Sequence, residues 1–540
     1  MFKKFLFIVL TVVIITGLFL GSCAKSTPAP ATSTTPAPVA TLTTSAPTPD
    51  PDAAKYGGRL RLIGGANVGN IGNPDEISNP GDSAYSFVCT EGLLRSDAKG
   101  NLEPWLAEKY EIAKDGSSVT FYLRKGINFT DGTPFNAAAV KVNVDIQLKT
   151  ISWANMRSVE NCQVIDDSTV KLNFKDGKFD WVVLNSLAGF FSCMMFSPTY
   201  LQNNTAEYKR SNVVGTGPFK LVEFARDQYI KYDRNDDYWG GKPYLDGIDY
   251  AIIPDPTSAL LAFKSGAVDM IGIQTKDAAD MIKSGFDVRE SATFVFNMSL
   301  LPNSVDPESP WNDIRVRQAF EYAIDKETLI KGLTYGYGHI SNQTFLDTQA
   351  YYNPDVVGYP YDLAKAKALM VEAGFPDGFT AKVLCVDSMP LDVILAVQDM
   401  VKEIGINLET DRVSLPKFST QVAAGEGSGW SGLVVGGTFA GAAGDPANSL
   451  MNGPLSNRTT WVSNDQPDEA YALSKQAASE LDPQKRVQLY RDLMKMLTDK
   501  YAQMCWLYWT PNLYSLAAMV QGVDFNHSSY AYAHAWLEKK

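Results

Sequence analysis

Few residues in this chain are of the types that do covalent chemistry. Its three histidines, His339, His527 and His534, are widely spaced, so imidazole-dependent catalysis and a His-rich metal site have little to draw on. Cys89, Cys162, Cys193, Cys385 and Cys505 form no knuckle spacing and no dense disulfide framework, and buried thiols are expected. No Gly-x-Ser-x-Gly elbow, His-Glu-x-x-His or phosphate loop occurs, which leaves a nucleophile and base without a motif. Paired carboxylates stay open as a catalytic device, because any two of the 60 Asp and Glu could meet in a cleft. With 48 Lys and Arg against those 60 acids, a net charge of −12 argues against a surface that tracks phosphates, and nucleic acid is not an expected partner. At 540 residues and 45% hydrophobic, the chain is long and apolar enough for large cores in more than one domain.

The first 54 residues read differently from the rest. Lys3 and Lys4 precede an uncharged apolar run from Phe5 to Leu20, short for a spanning helix and typical of a signal h-region. Leu20-Gly21-Ser22-Cys23 follows at once and resembles a bacterial lipobox, in which Cys23 is lipidated and becomes the new N-terminus. Residues 24–54 hold seven Pro, eight Thr, eight Ala and three Ser, with no aromatic residue. Such a composition cannot bury enough apolar surface to offset chain entropy, so it is expected to be an extended tether reaching roughly 90 Å at most. Cleavage before Cys23 removes two Lys and no acid, leaving a mature charge of −14.

From Lys55 onward, strands and amphipathic helices mix without an internal repeat. Arg59–Ile63, Val119–Leu123 and Val170–Phe174 alternate as half-buried strands do, and they predict a largely antiparallel unit between about 95 and 195. Asp313, Asp325, Asp362 and Asp482 each stand where a helix cap is needed, the last before Pro483 at N1, and Gly374 stands where a helix must stop. Strands at 380–384 and 406–409 lie between these helices, which makes 290–500 a mixed α/β region.

Several motifs in fixed order then carry a resemblance. Glu91-Gly92-Leu93-Leu94, Pro104-Trp105-Leu106-Ala107-Glu108, Asp131-Gly132-Thr133-Pro134-Phe135, Gly215-Thr216-Gly217-Pro218-Phe219, Arg234-Asn235 with Tyr238-Trp239-Gly240-Gly241-Lys242-Pro243, and Asp313-Ile314-Arg315-Val316-Arg317 resemble the family-5 extracellular solute-binding proteins of ABC importers. The resemblance implies an α/β, two-lobed periplasmic-binding-protein-like fold of the class II type, with an extra β-rich subdomain and a hinge. It divides the chain into 1–22 (signal), 23–54 (lipidated Cys23 and tether), 55–285 (lobe I), 286–503 (lobe II) and 504–540 (return to lobe I). Hinge crossings are expected near 275–295 and 500–510. The implied function is non-enzymatic: capture of a peptide, sugar or other amphipathic solute in a closing cleft, and delivery to a membrane ABC permease by a monomer anchored in the bacterial cell envelope.

Within that family the glycine-rich stretch before Asp445-Pro446 lines the cleft, and an acid three positions before the Asp-Pro pair holds a peptide's ammonium in dipeptide binders. Here that position is Ala442, which forfeits a charge-assisted bond of about 1.5–3 kcal/mol and argues against a short free-amino peptide. The aromatic run Trp506–Tyr514 is expected to alternate, with Trp506 and Tyr508 on one face. The ligand-binding candidates are Tyr85, Phe87, Thr90, Asn297, Trp430, Phe439, Asp445, Trp461, Trp506 and Tyr508. No cofactor or resident metal is expected, since a nickel or heme site could call only on tail residues such as His527 and His534. A carboxylate-dependent exported hydrolase, or a sensing or adhesion module on the same fold, are the competing readings.

Overall fold

A computed structural model describes residues 52–65, 68–76, 84–97, 101–149, 156–189, 193–387, 389, 391–423, 429–441, 446, 450, 455, 461–525 and 531–539, with side chains at 292–296 and 437–441 excepted. Cys23, Ala442, Asp445 and His527 lie outside it.

Arg59–Gly64 alternates half-buried and buried residues, as its sequence requires. It lies between Gly247–Ile252 and Met270–Ile273 and runs parallel to both, so three carboxyl ends, at Gly64, Ile252 and Ile273, reach one edge of the sheet. Tyr229–Arg234 and Phe219–Ala225 extend this lobe antiparallel. In the other lobe, Phe379–Val386 runs parallel to both Ile406–Val413 and Leu433–Gly441. Two long strands, Asp287–Pro302 and Cys505–Leu516, pair antiparallel and join the lobes into a main sheet that has eleven strands among the described residues. Asp287–Glu290 pairs with Leu516–Leu513, and Val295–Leu300 with Pro511–Cys505, so each strand belongs to both lobes.

The predicted antiparallel unit is a four-stranded sheet, Ala107–Ile112, Ser118–Leu123, Thr169–Phe174 and Val159–Asp166 in spatial order. Its core, with Phe121, Val170 and Leu172 fully buried, is closed by the helices Ala137–Lys149 and Trp181–Gly189. The predicted caps are in place: Asp313 accepts from Arg315 N–H, Asp325 from Thr328 N–H, Asp362 from Lys365 N–H, and Asp482 from the N–H groups of Gln484 and Lys485. Gly374 takes φ 89°, the left-handed conformation that ends its helix at no steric cost. All five described cysteines are buried.

Four of the five motifs of the amino-terminal half converge on one carboxylate. Glu91 is fully buried. Its Oε1 accepts from Trp105 Nε1–H at 2.9 Å and Tyr238 Oη–H at 2.6 Å, and its Oε2 from Trp239 Nε1–H and Thr216 Oγ1–H, each at 2.7 Å. Burial pushes this carboxyl above the usual range, against the pull of four neutral donors. The loop bearing Thr216 presses on the Cys89 backbone so closely that a Cβ at Gly215 or Gly217 would lie 2.3 or 2.6 Å from main-chain atoms. Asn235 then clamps the loop from outside, donating from Nδ2 to Gly217 O at 3.0 Å. The later motif works alike: Arg317, buried on its helix, donates to the carbonyls of Trp311, Asn312 and Tyr501 and ties that helix to the chain entering Cys505–Leu516.

One expectation fails. Trp506 and Tyr508 do not share a face, because the pairing shifts between Met298 and Ser299 and inserts Leu507 as a bulge. Trp506 packs with Leu301, Val434 and Trp430 on one side of the lobe II sheet, while Leu507 and Tyr508 join the cluster of Trp311 and Phe320 on the other.

Two outcomes test this account. Replacing Glu91 with Ala would strand four buried donors, and chemical denaturation should show a loss of about 3 kcal/mol or more. Glu321 is buried with its carboxylate 3.3 Å from Lys326 Nζ, and burial pushes it up to about 7. Its folded-state pKa lies above the unfolded value, so its contribution is present in full below about pH 4.5 and is lost as pH rises through about 7. Thermal scans should show stability falling over that window, with Glu321→Gln flattening the slope.

Candidate functional site

At the carboxyl edge of Arg59–Gly64, Gly247–Ile252 and Met270–Ile273, the lobe I sheet opens into a hollow of about 460 Å³. Open α/β sheets bind ligands there because the loops leaving successive strands diverge and leave a crevice. Ile63, Ile253, Leu260, Ile271, Ile273 and Leu513 give it an aliphatic lining, and Gln274, Asp277 and Asn512 add polar groups. Helices Pro256–Lys264 and Thr275–Lys283 follow the second and third strands and form its flank. Gly272 is exposed there, and a Cβ at this position would meet its nearest atoms only at 3.9 Å, so the hollow has room at that point. Leu513 and Asn512 come from Cys505–Leu516, which places the hollow beside the strands that connect the lobes.

Sequence reasoning did not single out these lining residues. Their aliphatic character is that of core strands, and only the topology leaves part of them uncovered at the sheet edge. Of the candidates, Tyr85 comes nearest: its hydroxyl accepts the Gly65 N–H at 2.9 Å, and its ring meets Tyr250 edge-on at 5.2 Å. Phe87 is buried in the lobe I core. Thr90 is wholly buried and donates to Ser86 O at 2.9 Å. Asn297 is also wholly buried, on the long lobe-connecting strand, and donates from Nδ2 to Ser341 Oγ at 3.0 Å and Gln343 O at 3.1 Å.

Trp430 lies elsewhere. It lines a second hollow of about 560 Å³ with Asn303, Lys382, Asp411 and Gln421, at the end of Asp287–Pro302 far from lobe I. Trp461, at φ 58°, packs edge-on against Trp430 and Phe418. Trp506 and Tyr508 are buried on opposite faces of the lobe II sheet. Phe439 pairs with Phe296 in the strand register, and its side chain lies outside the described residues, as does Asp445 altogether. The structure therefore gathers Trp430, Trp461 and Trp506 in lobe II, sets Tyr85 and Phe87 in lobe I, and does not bring the described candidates to one point.

Among the described residues no group of three His, Cys, Asp or Glu could hold a metal ion, and no helix is long and apolar enough to cross a membrane.

Comparison with known proteins agrees with the architecture. The heme-binding protein A of Haemophilus influenzae is 32% identical over 307 residues, 52% of this chain and 55% of that protein, so the match spans about half its length. The glutathione-binding protein of Pectobacterium atrosepticum is 30% identical over 363 residues, 64% of this chain and 66% of that protein. Among solved structures, the periplasmic binding protein DppA of Helicobacter pylori, in complex with the peptide STSA, superposes with a TM-score of 0.77 at 23% identity, covering 90% of this chain and 99% of that one. The model of the bacterial extracellular solute-binding proteins, family 5 middle region, matches residues 101–461, and the chain belongs to that family of solute-binding, non-enzymatic proteins.

Proposed function

We propose that this protein captures a small solute between lobe I (55 to about 290 and about 513–540, with the β-rich insertion at about 95–195) and lobe II (about 295–511), the expected crossings at 285/286 and 503/504 moving to the break in the strand pairing, and delivers it to an ABC permease. The observation that carries the reading is the connection between the lobes. Between Glu290 and Val295 on one strand and Leu513 and Pro511 on the other, four residues oppose Asn512 alone, and Pro511 has no N–H to give the ladder. An interrupted ladder is where two packed bodies turn with least loss of bonding, so the hinge is assigned to 291–294 and 511–512, at the inner end of the first predicted crossing and just past the second. Solute contacts made to both lobes exist only when they close, so binding shifts the open–closed population by its differential affinity.

The aliphatic hollow at the lobe I sheet edge is assigned as the floor of the cleft, with Gln274, Asp277 and Asn512 as its polar anchors. This lining suits an amphipathic solute with a branched or aromatic apolar part. The heme, glutathione and peptide named for the relatives and the solved neighbour are all small solutes of mixed polarity. A lipid on Cys23 would hold the monomer to the bacterial cell envelope, facing the periplasm or the exterior, with residues 24–54 as the spacer.

Native mass spectrometry of the purified mature protein should release an unaltered solute on denaturation, and recovery of a chemically altered one would overturn the binding reading. Gly272→Val should fill the hollow without backbone clash. The expected result is at least tenfold weaker retention of that solute at an unchanged melting temperature. Cys23→Ala should move the protein from the membrane to the soluble fraction of fractionated cells.

A further inference from the structure

The two lobes also touch far from the hinge in sequence. Trp181 opens the helix Trp181–Gly189 of the β-rich insertion, and its Nε1–H donates to Glu480 O at 2.8 Å. Glu480 follows the lobe II helix Asp468–Ser479 and precedes Pro483–Lys495. From that second helix the Arg486 guanidinium stacks over the Trp181 ring at 4.7 Å. Arg486 is nearly fully buried, and its own lobe holds it in place: Nε donates to Ala477 O at 3.2 Å and Nη1 to Tyr351 Oη at 2.8 Å. Apolar contacts interlock across the same seam. Val182 is buried within the lobe II cluster of Tyr490, Leu493 and Phe345, and Leu481 packs in return against the core of the insertion.

We propose that Trp181 and Arg486 form a latch that holds the lobes closed, and so set solute affinity without touching solute. They are positioning residues, and the proposal rests on the closing motion inferred above. The geometry favours a separable contact over a core. Its polar part includes an N–H donated to a backbone carbonyl and a cation over a ring. Both partners can return to water when the seam opens: the indole N–H and the Glu480 carbonyl regain hydration, while Arg486 keeps bonds within its own lobe. Closing recovers a desolvated cation–π contact, a hydrogen bond and the burial of Val182 and Leu481, each favourable and none large. Together the two polar terms would bias the closed form about tenfold. An interface of this strength leaves the equilibrium movable by a solute, as a receptor that must also release its cargo requires.

The test needs no identified solute. Cysteines introduced at Ile165 and Leu395, both half-exposed and in opposite lobes, would carry spin labels, since the native thiols described are buried. Protein stripped of solute by unfolding and refolding is then measured by electron–electron distance spectroscopy as wild type, Trp181→Phe and Trp181→Ala. The latch predicts mainly a short distance in wild type, about a tenfold shift toward a longer one in Trp181→Ala, and a smaller shift in Trp181→Phe, which keeps a ring beneath Arg486. Two distances in unchanged proportion across all three proteins would overturn the latch and leave the hinge standing. A single unvarying distance in all of them would overturn the closing motion as well. Circular dichroism melts establish that each variant is folded, and a lower melting temperature at an unchanged distance ratio counts against the latch.

Discussion

The amino-terminal half of the molecule is organised by one buried carboxylate. Glu91 sits out of water with no cation among the described residues paired to it, a placement that would cost several kcal/mol if its oxygens were not filled. Two indole N–H groups and two hydroxyls fill them. Outside this shell, Arg95 stands 4.2 Å over the Trp105 ring and Arg124 5.3 Å over Trp239, so positive charge reaches the site through polarised rings rather than by contact. The donors come from segments more than a hundred residues apart, and satisfying Glu91 forces the insertion, the Gly215–Phe219 loop and the Tyr238–Trp239 turn into one arrangement. Four of the five short runs that carry the family resemblance in this half thus build its frame.

A second constraint acts at the centre. Two strands shared by both lobes keep the lobes in register, yet a strand shared by two bodies must yield somewhere if they are to move. The pairing is continuous within each lobe and broken only at 291–294 opposite Asn512, or set off by the single bulge at Leu507. The break lies beside the hollow, so a rotation there changes the distance from lobe I to whatever lobe II presents, while Arg317 and the Glu91 shell keep each body rigid. The proposed hinge and the Trp181–Arg486 seam lie at separate places, so small changes in free energy at either one would move the population between open and closed.

Much of the local structure was legible in the residues. Asp313, Asp325, Asp362 and Asp482 cap helices because a carboxylate at that place satisfies N–H groups the helix cannot, and this depends on no distant partner. Alternation in Arg59–Gly64 and Thr169–Phe174 reflects a sheet with one wetter face, again a local property. The candidate site was far less legible. The face of Tyr508 was misread because a bulge is set by the register of a partner strand two hundred residues away. Trp430 lines a hollow beside Asn303, past the end of Asp287–Pro302, and the aliphatic residues of the sheet-edge hollow carry no signal that separates them from core.

The sequence by itself determined the class of molecule: ordered motifs identified the family, while composition argued against a nucleic-acid partner and left catalysis without a motif. Tertiary structure alone decided what those motifs are for, where the sheet edge opens, and which residues meet across the lobes. The reason is physical. Caps, periodicity and composition act over a few residues, whereas a buried carboxylate's donors, a break in strand register and a latch such as Trp181 on Arg486 exist only when residues far apart in the sequence are brought into contact.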